Sequence, residues 1–173
     1  QGGRRKGIVV EIIPVEAPLG AEVRCGDLRA ATDGQIAAIR AAWLGHLVVL
    51  FRSQQFTDAD LIAFARRFGE FQYSTPLPSP LENEGKAKQG GADERYPEVT
   101  VVSNVVEDGV ALGGLGDGEL IWHTDMSSFD APPNQTILHA IEVPAEQGRT
   151  GFDNMYLACA ALPAALREGV DGL

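Results

Sequence analysis

A histidine and an aspartate separated by one residue, His123 and Asp125, are the pair in this sequence best suited to chemistry. They lie in a segment typical of a β-strand, where residues two apart point to the same face, so both side chains can converge on one ion. An imidazole and a carboxylate suit Fe(II), and one further histidine would complete a facial triad with open coordination positions. Taken alone, H-x-D is common by chance, and a solvated histidine near an aspartate is the simpler interpretation.

The residues before this motif are predicted to mix strands and helices. Residues 8–23 combine β-branched runs with Pro and Gly, the pattern of one or two strands joined by turns. Thr32 or Asp33 can cap a helix whose apolar residues recur at every third and fourth position until Gly45 ends it. Residues 46–51 follow as a buried strand.

A capping box predicts a second helix. Thr57 stands three residues before Asp60, with Asp where Glu or Gln is usual, and the apolar positions that follow run to a stop at Gly69. Residues 72–97 have no periodicity and are rich in Pro, Gly and polar residues, as in long loops that are functional or disordered. We interpret this loop as a lid over an active site or, equally, as a disordered insertion.

The remainder of the chain carries strand signals and then helical ones. Residues 99–106 have the composition of a buried strand. Short strand-like runs follow, at the spacing of an antiparallel sandwich or barrel; they cover residues 121–127, 135–143 and 150–154. A final helical stretch, 154–167, is interrupted at Pro163, where a new helix can begin.

The composition describes a globular protein with an acidic surface. The chain has 173 residues, 45% of them hydrophobic, which is enough for a domain with a core. The formal net charge of -10 argues against a nucleic-acid partner, because phosphates are bound by Lys and Arg. The sequence has no run long enough for a membrane span and no signal-peptide pattern, so we predict a cytoplasmic protein. Cys25 and Cys159 are predicted to be thiols in or near the core, outside any disulfide or zinc motif.

Several short motifs occur in a fixed order along the chain. They are LGAEV (19–23), HLVVLFR (46–52), FARRFGE (64–70), GELIWHTDM (118–126) and GRTGFDNMY (148–156). In this order they resemble the taurine dioxygenase family of Fe(II)- and 2-oxoglutarate-dependent dioxygenases, which includes aryloxyalkanoate-cleaving enzymes. Ordered motifs are much harder to obtain by chance than one H-x-D.

The resemblance implies a mainly β fold with flanking helices, a double-stranded β-helix (jelly roll) that is incomplete in this chain. It divides the chain, as a single catalytic-domain fragment, into an N-terminal α+β part (1–71), a lid loop (72–97) and a jelly-roll core with the metal motif (98–173). The C-terminal part of the domain is then expected to be missing.

The resemblance also implies roles for individual residues. His123 and Asp125 are the first two iron ligands, projecting into the interior of the barrel. The Thr150 hydroxyl hydrogen-bonds a carboxylate of the cosubstrate 2-oxoglutarate. Asn104 is a candidate to face the substrate cavity, and Trp122 packs beside the site without taking part in chemistry.

Some family features have no counterpart in this sequence. The family's third ligand, a histidine, and the arginine that pairs with 2-oxoglutarate lie far downstream of H-x-D, so both are expected beyond Leu173. His139 lies on the next strand-like run and is not a substitute, and His46 is predicted to be structural. Arg149 stands where many relatives carry Asp. Residues 72–74 (Gln-Tyr-Ser) lie in the region where taurine enzymes place a histidine and a tyrosine for the sulfonate, and no histidine is among them.

By resemblance, the reaction is hydroxylation of a small organic acid, a sulfonate or a carboxylate, by O2 with release of succinate and CO2. Asp125 favours hydroxylation, because related halogenases lack this carboxylate. Two alternatives stay open: a catalytically silent binding or regulatory module, which Arg149 favours, and a cupin-type isomerase or sugar-binding jelly roll, in which Thr150 has no cosubstrate role. We expect neither nucleic acid nor membrane as a partner, and a homo-oligomer is left open.

Overall fold

The computed structural model describes residues 9–71, 95–111, 121–127, 129–146 and 148–171. The chain divides into two compact units, one formed by Gln1–Gln55 with Ala140–Leu173 and the other by Phe56–His139. None of the helices in the described part of the chain has the length and apolar run that a membrane crossing requires.

A three-stranded sheet organises the first unit. Strands β1 (Glu11–Pro14), β2 (Ala21–Arg24) and β3 (Val49–Leu50) lie in that order, with β2 antiparallel to β1 and parallel to β3. The prediction of one or two strands within residues 8–23 is confirmed, and the structure has two. Gly20 closes the turn between them with a φ of +104°, and a Cβ there would lie 2.9 Å from the Val15 side chain, so this turn requires glycine.

The central strand β2 separates an apolar face from a charged one. Ala21 and Val23 are each only 2% exposed and face the core, as alternation along a strand requires. On the other face, Arg24 and Arg52 donate hydrogen bonds to the Glu22 carboxylate at 2.7 and 3.0 Å. These two hydrogen bonds hold the pKa of Glu22 below its usual value.

Helix α1 (Asp33–His46) connects β2 to β3 and completes a β-α-β unit. Thr32 caps it, as predicted, and the Thr32 hydroxyl accepts a hydrogen bond from the Gln35 amide. The helix continues through Gly45, and the left-handed residue at its end is Leu47, with a φ of +66°. The predicted stop at Gly45 is therefore two residues too early.

A buried glutamine joins this helix to the sheet. The Gln35 side-chain oxygen accepts a hydrogen bond from the Thr32 backbone amide at 2.9 Å, which completes the capping box. The Gln35 side-chain amide donates to the Cys25 carbonyl, just past the end of β2, at 3.1 Å. One side chain thus satisfies a donor at the start of α1 and an acceptor at the end of β2.

The second unit contains helix α2 (Asp58–Ala65) and a cluster of rings. The predicted capping box between Thr57 and Asp60 is present, although the helix ends at Ala65, before Gly69. Phe64 lies 5.7 Å from Phe56 and 5.2 Å from Phe68, measured between ring centroids. The same unit contains a short antiparallel hairpin of two two-residue strands, β4 (Val106–Glu107) and β5 (Val110–Ala111).

Helices α3 (Met155–Ala160) and α4 (Ala164–Val170) belong to the first unit. The predicted interruption at Pro163 is confirmed, because this proline is the N-cap of α4. Asn154 caps α3 by accepting a hydrogen bond from the Leu157 amide at 3.1 Å.

Several predicted strands are wrong in the described residues. The run 46–51 contributes only Val49 and Leu50 to a strand, because its first residues end helix α1. Residues 99–105 form no strand, and Val102 is 62% exposed. The runs 121–127, 135–143 and 150–154 likewise form none where they are described. Their β-branched composition was read correctly, but a strand also needs a partner strand, which composition does not supply.

The core of the described chain lies entirely in its first part. Every fully buried residue that is described falls between Ala21 and Phe64. Cys25 is buried, as predicted, whereas Cys159 is exposed and the prediction for it was wrong. The predicted lid loop falls mostly outside the described residues.

We expect Gln35→Ala to destabilise the protein by about 1–3 kcal/mol, because it removes a cap and leaves a buried carbonyl without its donor. Urea unfolding followed by circular dichroism measures the change. The exposed Gln55 provides the matched control, and Gln55→Ala should leave the unfolding midpoint where it is. Equal effects of the two substitutions would contradict the role given to Gln35.

Candidate functional site

His123 and Asp125 converge, as the H-x-D spacing predicted. The Nε2 atom of His123 lies 3.0 Å from the Oδ1 atom of Asp125. The backbone that achieves this is a turn rather than a strand, since Asp125 begins the turn 125–127. The prediction of converging side chains therefore holds, while the predicted reason for it does not.

The second ring nitrogen of His123 is held by the backbone. Its Nδ1 atom lies 2.8 Å from the carbonyl oxygen of Ile121, which can only accept a hydrogen bond. Nδ1 therefore carries a proton, and Nε2 is the nitrogen directed at Asp125. Metal-binding histidines are oriented in the same way, by a hydrogen bond from the nitrogen that does not bind the metal.

Both acceptors favour the charged imidazole. The Ile121 carbonyl, which has the larger effect, and the Asp125 carboxylate raise the pKa of His123 above its ordinary value. When both ring nitrogens donate, the Nε2 proton occupies the place where a metal ion would bind, and metal binding must displace it.

The turn after Asp125 is held in an uncommon conformation. Met126 has a φ of +52°, in the left-handed region that non-glycine residues seldom adopt. The Phe129 amide donates to the Met126 carbonyl at 3.1 Å and closes the turn. Backbone strain of this kind is concentrated at functional sites, and here it lies next to one of the two candidate ligands.

The donor atoms of this pair suit a divalent cation such as Fe(II). Two ligands at about 2.1 Å from a metal, at right angles to each other, have donor atoms about 3.0 Å apart, and the separation here is 3.0 Å. One imidazole nitrogen and one carboxylate oxygen are also two of the three donors of a facial triad. The same distance is that of a hydrogen bond, so the geometry accommodates either a proton or a cation between the two groups.

The pair is more exposed than a barrel interior would allow. The side chains of His123 and Asp125 are 55% and 58% exposed. Within the described residues, no group of three histidine, cysteine, aspartate or glutamate side chains is placed to hold a metal. The described residues thus supply two candidate ligands but neither a third one nor an enclosure.

Of the two other predicted site residues, Asn104 lies in the same unit as this pair and Thr150 in the other unit. Asn104 is exposed in the irregular segment before β4, and among the described residues no hydrogen bond links it to His123 or Asp125. Thr150 is exposed and belongs to the first unit, whereas the pair belongs to the second. Gly148, two residues before Thr150, has a φ of +62°, and a Cβ there would lie 2.8 Å from the Pro144 ring.

Three further residues bear on the predictions for this site: Trp122, His139 and Ile121. Trp122 is 70% exposed, so its predicted packing beside the site is wrong in the described residues. His139 is partly buried, with its ring centroid 5.7 Å from that of Phe56. The Ile121 carbonyl was missed by sequence reasoning, because every residue has a carbonyl and no residue type signals this contact.

Comparison with protein families identifies the group to which this arrangement belongs. Residues 11–173 match the model of the family described as taurine catabolism dioxygenase TauD, TfdA family. The chain belongs to the TauD/TfdA family. The match includes both His123 and Asp125.

Curated relatives of known activity are found within the TauD/TfdA family. An (S)-phenoxypropionate/alpha-ketoglutarate-dioxygenase of Delftia acidovorans is 30% identical over 91% of this chain and 51% of its own length. An alpha-ketoglutarate-dependent sulfate ester dioxygenase of Pseudomonas putida is 32% identical over 95% of this chain and 48% of its own. An alpha-ketoglutarate-dependent 2,4-dichlorophenoxyacetate dioxygenase of Cupriavidus pinatubonensis is 35% identical over 73% and 43%. The chain spans about half the length of the curated relatives it matches.

We expect His123→Ala and Asp125→Ala each to weaken Mn(II) binding strongly in the full-length protein, meaning a chain extended to the length of these relatives. Loss of a residue that only orients a ligand costs about 10–100-fold in metal affinity, so loss of a ligand itself should cost more. Electron paramagnetic resonance of free Mn(II) during a titration measures the affinity.

Asp130→Ala is the matched control for this titration, since it removes another exposed carboxylate from the same unit. This variant should bind Mn(II) like the wild type. Undiminished binding by the Asp125 variant would rule that residue out as a ligand.

Proposed function

We propose that the chain is part of an Fe(II)- and 2-oxoglutarate-dependent dioxygenase that hydroxylates a small organic acid and releases succinate and CO2. The observation that carries the proposal is the convergence of His123 Nε2 and Asp125 Oδ1, with the imidazole oriented by the Ile121 carbonyl. Membership of the TauD/TfdA family supports it.

His123 and Asp125 are the residues that would hold the iron. When bound, Fe(II) supplies the activation of O2 that no amino-acid side chain provides. His123 contributes a neutral nitrogen once its Nε2 proton has left, and Asp125 contributes a negative charge that partly neutralises the cation. The third ligand is proposed to be a histidine in the remaining length of the domain.

The fold proposed for the complete domain is the jelly roll, mainly β with flanking helices. Family membership supports this fold, as do the strand-like runs of the sequence between residues 99 and 154. Such runs become strands when partner strands are available to pair with them. In this proposal the second half of the domain supplies those partners and also encloses the exposed metal ligands.

The substrate class is proposed from the chemistry that the relatives' names share. Phenoxypropionate and 2,4-dichlorophenoxyacetate are carboxylates, and a sulfate ester carries a sulfate group, so each of these substrates has an anionic head. We therefore retain a small organic acid, a carboxylate or sulfonate, as the substrate, with sulfate esters as a related anion to be tested. O2 and 2-oxoglutarate are the proposed co-reactants.

Thr150 is proposed to bind 2-oxoglutarate. Its side chain is exposed, and a hydroxyl can donate a hydrogen bond to a carboxylate of the cosubstrate. Arg149 is also exposed and adds a positive charge next to this position, which favours a dianion. The same charge was the argument for a silent module. The dioxygenase and the silent module are distinguished by whether the protein consumes 2-oxoglutarate.

We expect the full-length protein, supplied with Fe(II), 2-oxoglutarate and a panel of aryloxy carboxylates, sulfonates and sulfate esters, to form succinate with at least one of them. Asp125→Asn should abolish this activity, because it removes the ligand charge at constant size. Asp130→Asn should retain it. Chromatography of succinate and of the hydroxylated product measures the outcome.

A silent binding module would give a different result in the same assay. It would form no succinate with any acid in the panel, even though 2-oxoglutarate or the acid bound in a direct titration. That combination would replace the proposed function with the regulatory alternative.

We expect Thr150→Val to raise the KM for 2-oxoglutarate by about tenfold or more with a smaller change in kcat, because a hydrogen bond to a charged group contributes about 1.5–3 kcal/mol. Thr150→Ser keeps the hydroxyl and should stay near the wild-type KM. Thr136→Val is a matched control at another exposed threonine. An unchanged KM in Thr150→Val would show that Thr150 does not bind the cosubstrate.

A further inference from the structure

We infer that Met126 is a positioning residue for the pair His123 and Asp125, and that it acts through its left-handed backbone conformation rather than through its side chain. The inference rests on the proposed role of this pair as iron ligands. Met126 follows Asp125 directly and has a φ of +52°. Such a residue turns the chain in a way that neither a strand nor a right-handed helix allows.

The contacts that orient the pair join residues close together in the sequence. The Nδ1 atom of His123 lies 2.8 Å from the Ile121 carbonyl, and its Nε2 atom lies 3.0 Å from Asp125. In the described part of the chain, no hydrogen bond or ion pair joins His123 or Asp125 to any residue outside this short segment. The backbone of the segment must therefore hold the pair by itself.

Met126 connects this segment to the turn that ends it. The turn covers residues 125–127, and the Phe129 amide donates a hydrogen bond to the Met126 carbonyl at 3.1 Å. A change of φ at Met126 from +52° to the value of a right-handed helix would rotate the chain that follows by about 115° relative to Asp125. The left-handed φ is therefore what allows the closed turn and the contact between His123 and Asp125 to exist together.

The residue type at position 126 does not by itself favour this conformation. Glycine adopts a positive φ freely and asparagine tolerates it, whereas methionine adopts it seldom. A conformation of this kind persists only when surrounding contacts enforce it. Substitutions at this position can therefore change the backbone preference and the side chain independently.

Two substitutions at Met126 separate a backbone role from a packing role. Valine is apolar like methionine, but its branched Cβ makes a left-handed φ most costly. Glycine has no side chain to pack, but it adopts this φ without strain. A backbone role predicts that Met126→Gly binds metal better than Met126→Val, and a packing role predicts the opposite order.

We expect Met126→Val to weaken Mn(II) binding by the full-length protein about 10–100-fold, the usual effect of losing a residue that orients a ligand. Met126→Gly and Met126→Asn should bind Mn(II) like the wild type. Met126→Leu keeps an unbranched Cβ and an apolar side chain, so it should also bind like the wild type. Electron paramagnetic resonance of free Mn(II) measures each affinity.

Leu47→Val is the matched control, because Leu47 is another left-handed residue, with a φ of +66° at the end of helix α1. This substitution should lower the midpoint of urea unfolding and leave the Mn(II) affinity unchanged. The comparison separates a loss of ligand position from a general loss of stability.

Wild-type affinity in Met126→Val would overturn the inference. A loss of affinity in Met126→Gly as large as that in Met126→Val would also overturn it, since the side chain would then be what matters. Metal binding requires no turnover, so the proposed reaction is tested separately. A wild type that binds Mn(II) but forms no succinate would contradict the proposed function and leave the role of Met126 intact.

Discussion

The hydrogen bonds of the Gln35 side chain are the constraint on which the ordered first unit depends. They connect the capping residue Thr32 to the Cys25 carbonyl, and so fix where helix α1 starts relative to where strand β2 ends. A buried carbonyl without a donor costs more than an ordinary hydrogen bond contributes. A shift of the helix along the sheet would break these hydrogen bonds and lower the stability of the fold. The position of the helix start in turn sets where the chain returns to pair β3 in parallel with β2.

The buried residues and the candidate site residues lie in different parts of the sequence. The fully buried residues of the described chain lie between Ala21 and Phe64, whereas the candidate ligands and Thr150 follow much later and are exposed. A metal site needs a dry, shaped surrounding to control the chemistry of its ion. The described residues orient the two candidate ligands but leave both side chains more than half exposed.

Features made by residues close together in the sequence were predicted more accurately than features that depend on residues far apart in the sequence. Helix starts were predicted well, because the capping boxes at Thr32 and Thr57 are made by residues three apart. Strands after residue 98 were predicted poorly, because a strand exists only when another strand pairs with it, and that partner is not encoded nearby. The end of α1 was misplaced for a local reason: Leu47 adopts the left-handed conformation that glycine would be expected to take.

In the candidate site, the side chains were predicted from their spacing, but the backbone contact was not. His123 and Asp125 were found because a two-residue spacing brings side chains together in a strand, and it does so in this turn as well. Ile121 was not found, because its contribution is a backbone carbonyl. Its side chain is 81% exposed, so the contact depends on the backbone conformation of residues 121–126 rather than on the residue type at 121. The left-handed Met126 is the part of that conformation that costs energy. A backbone held in this way directs the Nε2 atom of His123 and the Asp125 carboxylate to one point in space, which is what a metal ion requires of its first two ligands once the Nε2 proton has left.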